Sequence, residues 1–161
     1  MRNKLQSSLL ICLTLLLLTS CTDENIAFED FHPFKNSLWE RSKRVSFEFE
    51  VLDTVRTTEI SYQIRNNHQY PYSNLYLNYK ILYSSFTVIK KNVQEMYLYN
   101  PKSGKPLGNT SLLNDTQDSE LLFASHKFLK PGKYTINIQH QMRDNEGING
   151  IDAIGILVKY K

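Results

Sequence analysis

From Val45 to Val51 every second residue is apolar, with Val45, Phe47, Phe49 and Val51 alternating with Ser46, Glu48 and Glu50. A side chain changes face at each step along a β-strand, so this period of two builds a strand with one buried face and one wet face. Ile60, Tyr62 and Ile64 repeat the pattern against Glu59, Ser61, Gln63 and Arg65. Leu75, Leu77, Tyr79, Ile81 and Tyr83 repeat it opposite Tyr76, Asn78 and Lys80. Shorter runs predict strands at 86–89, 93–99, 121–128, 134–140 and 155–160. Turn-forming residues separate them: Arg65-Asn66-Asn67, Asn100-Pro101-Lys102-Ser103-Gly104, Lys130-Pro131-Gly132 and Asn145-Glu146-Gly147. A one-sided sheet must cover its apolar face with a second layer. The expected fold is therefore all-β: a single antiparallel β-sandwich, jelly-roll-like, of about eight strands over residues 35–161. Any helix is expected to be a single turn, near 108–115 or 148–154.

The first 20 residues follow a different rule. Arg2 and Lys4 open the chain, an apolar run occupies 9–18, and Leu18-Thr19-Ser20 precedes Cys21. This is the layout of a cleaved lipoprotein signal peptide, too short to span a hydrocarbon layer that needs about 20 apolar residues. Cleavage before Cys21 makes its acylated, palmitate-bearing thioether the new amino terminus and leaves 141 of the 161 residues. Cys12 leaves with the leader, so the mature chain has no thiol for a disulfide, a metal or cysteine catalysis. Without Arg2 and Lys4 the 19 basic residues become 17, against 16 acidic ones. A balance so close to neutral does not suit a nucleic-acid partner. Residues 21–34 read as a lipidated tether whose later half, with Phe28, Phe31 and Phe34, docks on the domain because those rings are costly to leave in water. Asp23 and Glu24 fit either a sorting signal or a solvated linker.

The side chains that do chemistry are dispersed. His32, His68, His126 and His140 form no cluster of metal-ligand spacing. His140 shares a strand face with Tyr134, Ile136 and Ile138 and reads as a hydrogen-bonded histidine at the core margin. No nucleophile elbow, phosphate loop or dinucleotide fingerprint occurs. Asp115, Asp118 and Glu120 read as a solvated acidic loop rather than a carboxylate pair. Asp144, Asn145, Glu146, Asn149 and Asp152 offer oxygens near Gly147, but Ile148 stands where a calcium loop needs another ligand. The expectation is a protein that is not an enzyme, with no cofactor and no metal.

Several segments resemble one family. They are the leader, Trp39, Val45 to Val51 followed by Asp53-Thr54, and Arg65-Asn66-Asn67-His68-Gln69-Tyr70-Pro71-Tyr72-Ser73-Asn74-Leu75-Tyr76-Leu77, together with Pro131-Gly132-Lys133-Tyr134, His140-Gln141-Met142-Arg143, Gly150-Ile151 and Ile154-Gly155. The chain is similar, over nearly its whole length, to the gliding-motility lipoprotein GldH family of Bacteroidota. Where that pattern has Gly-x-Trp-Leu-Gly, this chain has Gly104-Lys105-Pro106-Leu107-Gly108. The resemblance implies a non-enzymatic lipoprotein of the gliding-motility and type IX secretion machinery. It would be held in the cell envelope by acylated Cys21, the outer membrane being favoured over the inner and both staying open, with other envelope proteins as partners. Arg65, Asn67, Tyr70, Tyr72 and Tyr76 are the candidate partner-binding residues, since a loop on a rigid sheet suits docking and aromatic and arginine side chains concentrate binding energy. The same stretch also reads as a plain strand connection. An alternative function is a surface module that binds glycans on a flat platform made by Tyr70, Tyr72, Tyr76, Tyr97 and Tyr99.

Overall fold

A computed structural model describes residues 23–84, 87–111, 115–144 and 146–161. Cys21 and the leader lie outside the described residues, as do Phe86 and Asn145. The strands are β1 (Ile26–Pro33), β2 (Leu38–Glu40), β3 (Val45–Val51), β4 (Thr58–Asn67), β5 (Asn74–Tyr83), β6 (Thr87–Tyr97), β7 (Asn109–Thr110), β8 (Thr116–His126), β9 (Gly132–His140), β10 (Gly147–Asn149) and β11 (Ile151–Tyr160). A five-stranded sheet in the order β1-β11-β4-β8-β7 faces a four-stranded sheet in the order β3-β9-β5-β6. A small ribbon, β10-β2, lies beside them. All pairings are antiparallel.

The two-residue period sets the core. Val45, Phe47, Phe49 and Val51 are buried while the residues between them are exposed. Their strand meets β9 with Phe47 opposite Ile136 and Phe49 opposite Tyr134. The two sheets touch through rings: Tyr62 of β4 stands edge-on to Tyr79 of β5 at 6.3 Å, and Phe28 of β1 meets Phe49 of β3 at 6.2 Å. Trp39 closes one side, fully buried, stacked on Phe34 at 4.8 Å and donating its indole N–H to the Lys43 carbonyl.

Eleven strands replace the eight expected, and the differences have local causes. Residues 87–89 and 93–97 of the two expected runs belong to one strand, β6, because its polar middle, Lys90-Lys91-Asn92, still pairs residue by residue with β5. Residues 148–154 form β10 and β11 rather than a helical turn. Ile148, Ile151, Ala153, Ile154 and Ile156 are all buried, so the segment lacks the alternation that marks a strand in sequence. Gly150 divides the two strands at φ +80, and a Cβ there would lie 2.1 Å from the Tyr70 nitrogen. Within 108–115, the described residues Asn109 and Thr110 are a short strand on β8, not a helix. The segment 21–34 becomes a strand from Ile26 onward: β1 pairs along β11 from Lys159 to Ala153, and Phe31 lies across Gly155, where a Cβ would sit 2.6 Å from its ring.

Candidate functional site

The strands run between two poles. At one pole lie the 68–73 and 98–108 connections and residues 141–144, together with the end of β4 and the start of β8. Here the chain builds a cavity of about 490 Å³. The β4 alternation continues inward past Ile60, Tyr62 and Ile64 to Asn66, which pairs across the strands with Gln117 of β8. Both amides are therefore on the inner face, at the rim where the hydrophobic layer ends. Asn66 and Gln117, with Tyr70, are the most buried residues lining the cavity. Asn66 Nδ2 donates to the Tyr99 hydroxyl at 2.8 Å, and Gln117 Nε2 donates to the Leu98 carbonyl at 2.7 Å and to Ser119 Oγ at 2.8 Å. Among the described residues, no donor reaches Asn66 Oδ1 or Gln117 Oε1. Buried acceptors of this kind cost about 1–3 kcal/mol each when left unpaired.

The connection after β4 is held by Asn67. Its Nδ2 donates to Asp152 Oδ1 at 2.7 Å and to Ser37 Oγ at 3.2 Å, while its Oδ1 accepts from the Gln69 N–H at 2.9 Å. Its own N–H donates to the Gly150 carbonyl at 2.9 Å. The Asn-Asn and Gly-Ile segments, distant in sequence, are thus one clasp. Tyr70 is buried and donates its hydroxyl to the Asn74 carbonyl at 2.6 Å, and burial pushes that phenol well above its ordinary range. Tyr72 stands edge-on to it, ring centroids 5.9 Å apart at 77°, partly exposed at the cavity rim. Its hydroxyl donates to both oxygens of Asp144 at 3.0 and 2.8 Å, and that carboxylate raises its pKa. The 68–73 loop and residues 141–144 are tied together by this contact.

The five residues singled out in the sequence do not form one patch. Asn67, Tyr70 and Tyr72 line the cavity. Arg65 is on the outer face of the five-stranded sheet, in a two-pronged ion pair with Asp118 at 2.8 and 3.0 Å and with its guanidinium 6.0 Å from the centre of the Phe31 ring. Tyr76 is on the outer face of the four-stranded sheet, where Glu95 draws both its phenol and that of Tyr97 above their usual pKa. Of the five tyrosines read as a platform, Tyr70, Tyr72 and Tyr99 are at the cavity while Tyr76 and Tyr97 are on that sheet face, and the Tyr70 and Tyr72 rings are close to perpendicular. Asn66 and Gln117 are cavity residues the sequence did not single out, and Tyr99 was named only for the platform. The signal for Asn66 was its inward parity on β4; Gln117 and Tyr99 become neighbours only through β8 pairing and the 98–108 loop. Pro106 lines the cavity and forms a β-bridge with Tyr99.

His140 is buried against Trp39, ring centroids 5.4 Å apart, and neither ring nitrogen makes a well-formed hydrogen bond. Burial lowers its pKa, partly offset by the backbone of Glu40 and Trp39, so it is a residue of the core rather than of its margin. Asp152 is committed to Asn67 and Ser37, and Asp144 to Tyr72, so these carboxylates serve as loop ties.

The family described as GldH lipoprotein matches residues 26–158. The chain is 30% identical over 142 residues to the "Gliding motility lipoprotein GldH homolog" of Christiangramia forsetii, covering 88% of this chain and 83% of that one. It is 30% identical over 152 residues to the "Gliding motility lipoprotein GldH" of Flavobacterium johnsoniae, covering 94% and 91%. Among solved structures it is similar to a family GH115 4-O-methyl-α-glucuronidase with a TM-score of 0.47 at 12% identity, over 84% of this chain and 18% of that one. That likeness is too weak to bear on function. The molecule is a lipid-anchored cell-envelope protein built as a β-sandwich. It belongs to the GldH lipoprotein family.

Proposed function

We propose that the protein works by binding, without catalysis, as a component of the gliding-motility and type IX secretion machinery, anchored through Cys21 in the outer membrane. Its partner is another envelope protein, and the docking place is the cavity at the end of the sandwich. The observation that carries this reading is the pair of buried acceptors, Asn66 Oδ1 and Gln117 Oε1, in a cavity built from the Asn67–Tyr72 clasp. An extended segment of a partner entering the cavity brings backbone N–H donors, and pairing buried acceptors gives orientation as well as affinity. The perpendicular Tyr70 and Tyr72 rings favour a protein segment over a sugar ring, which needs a flat face. Tyr72 is the residue to change, because it is exposed and Tyr70 is not. Tyr72→Ser in the lipidated protein is expected to weaken co-purification with envelope proteins while melting temperature and membrane fraction hold. Retention of all partners by that variant would refute the docking place, and binding on a glycan array abolished by Tyr72→Ser would replace the protein partner with a carbohydrate.

A further inference from the structure

The pole opposite the cavity carries the three most exposed large apolar side chains among the described residues: Leu129 at 85%, Val55 at 78% and Leu52 at 75%. Leu52 and Val55 are on the connection from β3 to β4, and Leu129 on that from β8 to β9. The strand ends bring these loops together, since Val51 pairs with Gly132 and Thr58 with His126. Neither loop is slack. Asp53 accepts from the Val55 and Arg56 N–H groups at 2.8 and 3.1 Å and from Arg56 Nε at 2.7 Å, which holds Val55 outward. Leu129 stands between Phe128, buried against Phe49 and Tyr134, and the Lys130 carbonyl, which accepts from the Tyr134 hydroxyl at 2.7 Å.

The acylated end of the chain leaves from this same pole. Asp23 is fixed there: the Ile26 N–H donates to its carbonyl at 2.9 Å, and Asn25 accepts from the Tyr160 N–H at 2.8 Å. The Tyr160 hydroxyl in turn accepts from the Leu52 N–H at 3.3 Å. Cys21 is two residues before Asp23 in sequence, and an extended chain advances about 3.3–3.6 Å per residue, so the link from the anchor to the domain spans at most roughly 7 Å. A tether that short cannot hold the domain clear of the bilayer.

We propose that this pole is a second membrane contact, in which Leu52, Val55 and Leu129 enter the lipid surface to which Cys21 is anchored. The inference rests on acylation of Cys21. Side chains at such a surface reach about 5–10 Å into the boundary between headgroups and acyl chains. Lys127 and Lys130 flank Leu129 and are exposed, placed to reach phosphate groups with their ammonium ends. Asp23 and Glu24 are also at this pole, and Lys161 is paired with Glu59, so charge there is mixed and apolar contact sets the orientation. The cavity is thereby turned away from the membrane, toward partners.

The test uses the full lipidated protein, which has no other free thiol once Cys21 is a thioether. Leu129→Cys, Val55→Cys and, as a control beside the cavity, Leu107→Cys are each labelled with an environment-sensitive fluorophore and reconstituted into phosphatidylethanolamine and phosphatidylglycerol vesicles. Mass spectrometry of the amino-terminal peptide reports acylation in the same samples. The labels at 129 and 55 are expected to shift to the blue and lose most of their emission to nitroxide-bearing lipids, while the label at 107 is unaffected. Equal, unquenched emission from all three on an acylated protein would overturn the membrane contact and leave the anchor standing. An unacylated Cys21 would overturn both. Blue-shifted labels that nitroxide lipids do not quench would mean that protein covers this pole, which also overturns the proposal.

Discussion

Phe49→Ala removes the ring on which the half of the core away from the cavity converges. Phe49 is 2% exposed and touches Phe28 at 6.2 Å, Phe128 at 5.9 Å and Tyr134 at 5.9 Å, so one side chain joins β1, the β8–β9 loop and β9 to β3. A buried aromatic side chain removes about 150–250 Å² from water, which at about 25 cal/mol per Å² is about 4–6 kcal/mol. Alanine keeps the Cβ contribution and neighbours relax part-way into the space, so the expected loss is about 3–5 kcal/mol. For a domain of this size a kilocalorie corresponds to about 3–5 °C, which puts the expected fall in melting temperature at about 10–20 °C. Glu48→Gln is the control on the same strand. Glu48 is exposed and reaches Lys133 at 3.1 Å across solvent, a pair worth at most about 1 kcal/mol. Thermal and urea unfolding of both variants, followed by circular dichroism, decides the matter. Equal melting temperatures for Phe49→Ala and the parent protein would refute the assigned register and with it the facing of the two sheets.

Three further outcomes follow from named contacts. Asn67→Ala should cost about 2–3 kcal/mol, because it strips a half-buried Asp152 carboxylate of its amide donor, and an unchanged urea midpoint would show that the clasp is dispensable. His140 has a folded pKa below its ordinary 6.5, chiefly through burial and also through Arg41, partly offset by the backbone of Glu40 and Trp39 and by Asp144. The unfolded chain therefore binds a proton that the folded one refuses, and stability falls as pH drops below about 6.5. His32 and His126 shift in the same direction, so the check is that His140→Phe reduces the difference in stability between pH 8 and pH 5.5; an equal difference would assign it elsewhere. Cys21→Ser should abolish uptake of labelled palmitate, and continued labelling of the amino-terminal peptide would refute the lipidation site.

How much of this was legible in the sequence depended on how a residue's environment is created. The inward sets on β3, β4 and β5 follow from parity alone, which is why Val45, Phe47, Tyr62, Leu77 and Tyr79 are buried where the alternation places them. β11 was legible only over 155–160, because buried residues on both its faces erase the period and left 151–154 without a strand signal. β1 was obscure for the opposite reason: its exposed Glu29, Asp30 and Phe31 form an edge whose structure comes from β11. The candidate site was legible as a segment but not as a surface. Arg65, Asn66 and Asn67 are consecutive, and the strand sends them to the outer face, the interior and the clasp in turn. Tyr70 and Tyr72 differ likewise: one is a core residue held by the Asn74 carbonyl, the other a rim residue held by Asp144. Composition cannot tell such neighbours apart, because the distinction is made by pairings with Gly150, Asp152 and Gln117 far along the chain.

In the proposed arrangement a lipid-anchored sandwich presents its cavity pole to envelope proteins. Photo-crosslinking in intact cells tests it most directly, with a benzophenone side chain placed one at a time at Tyr72 on the cavity rim, at Leu122 on the outer face of the five-stranded sheet and at Tyr76 on the outer face of the four-stranded sheet. All three positions are solvent-exposed, so reactivity reports what each surface meets. The expected result is discrete protein adducts from position 72, identified by mass spectrometry as components of the motility and secretion apparatus, with little from positions 122 and 76. Adducts arising from 122 or 76 while position 72 stays silent would contradict the account and move the docking surface to a sheet face.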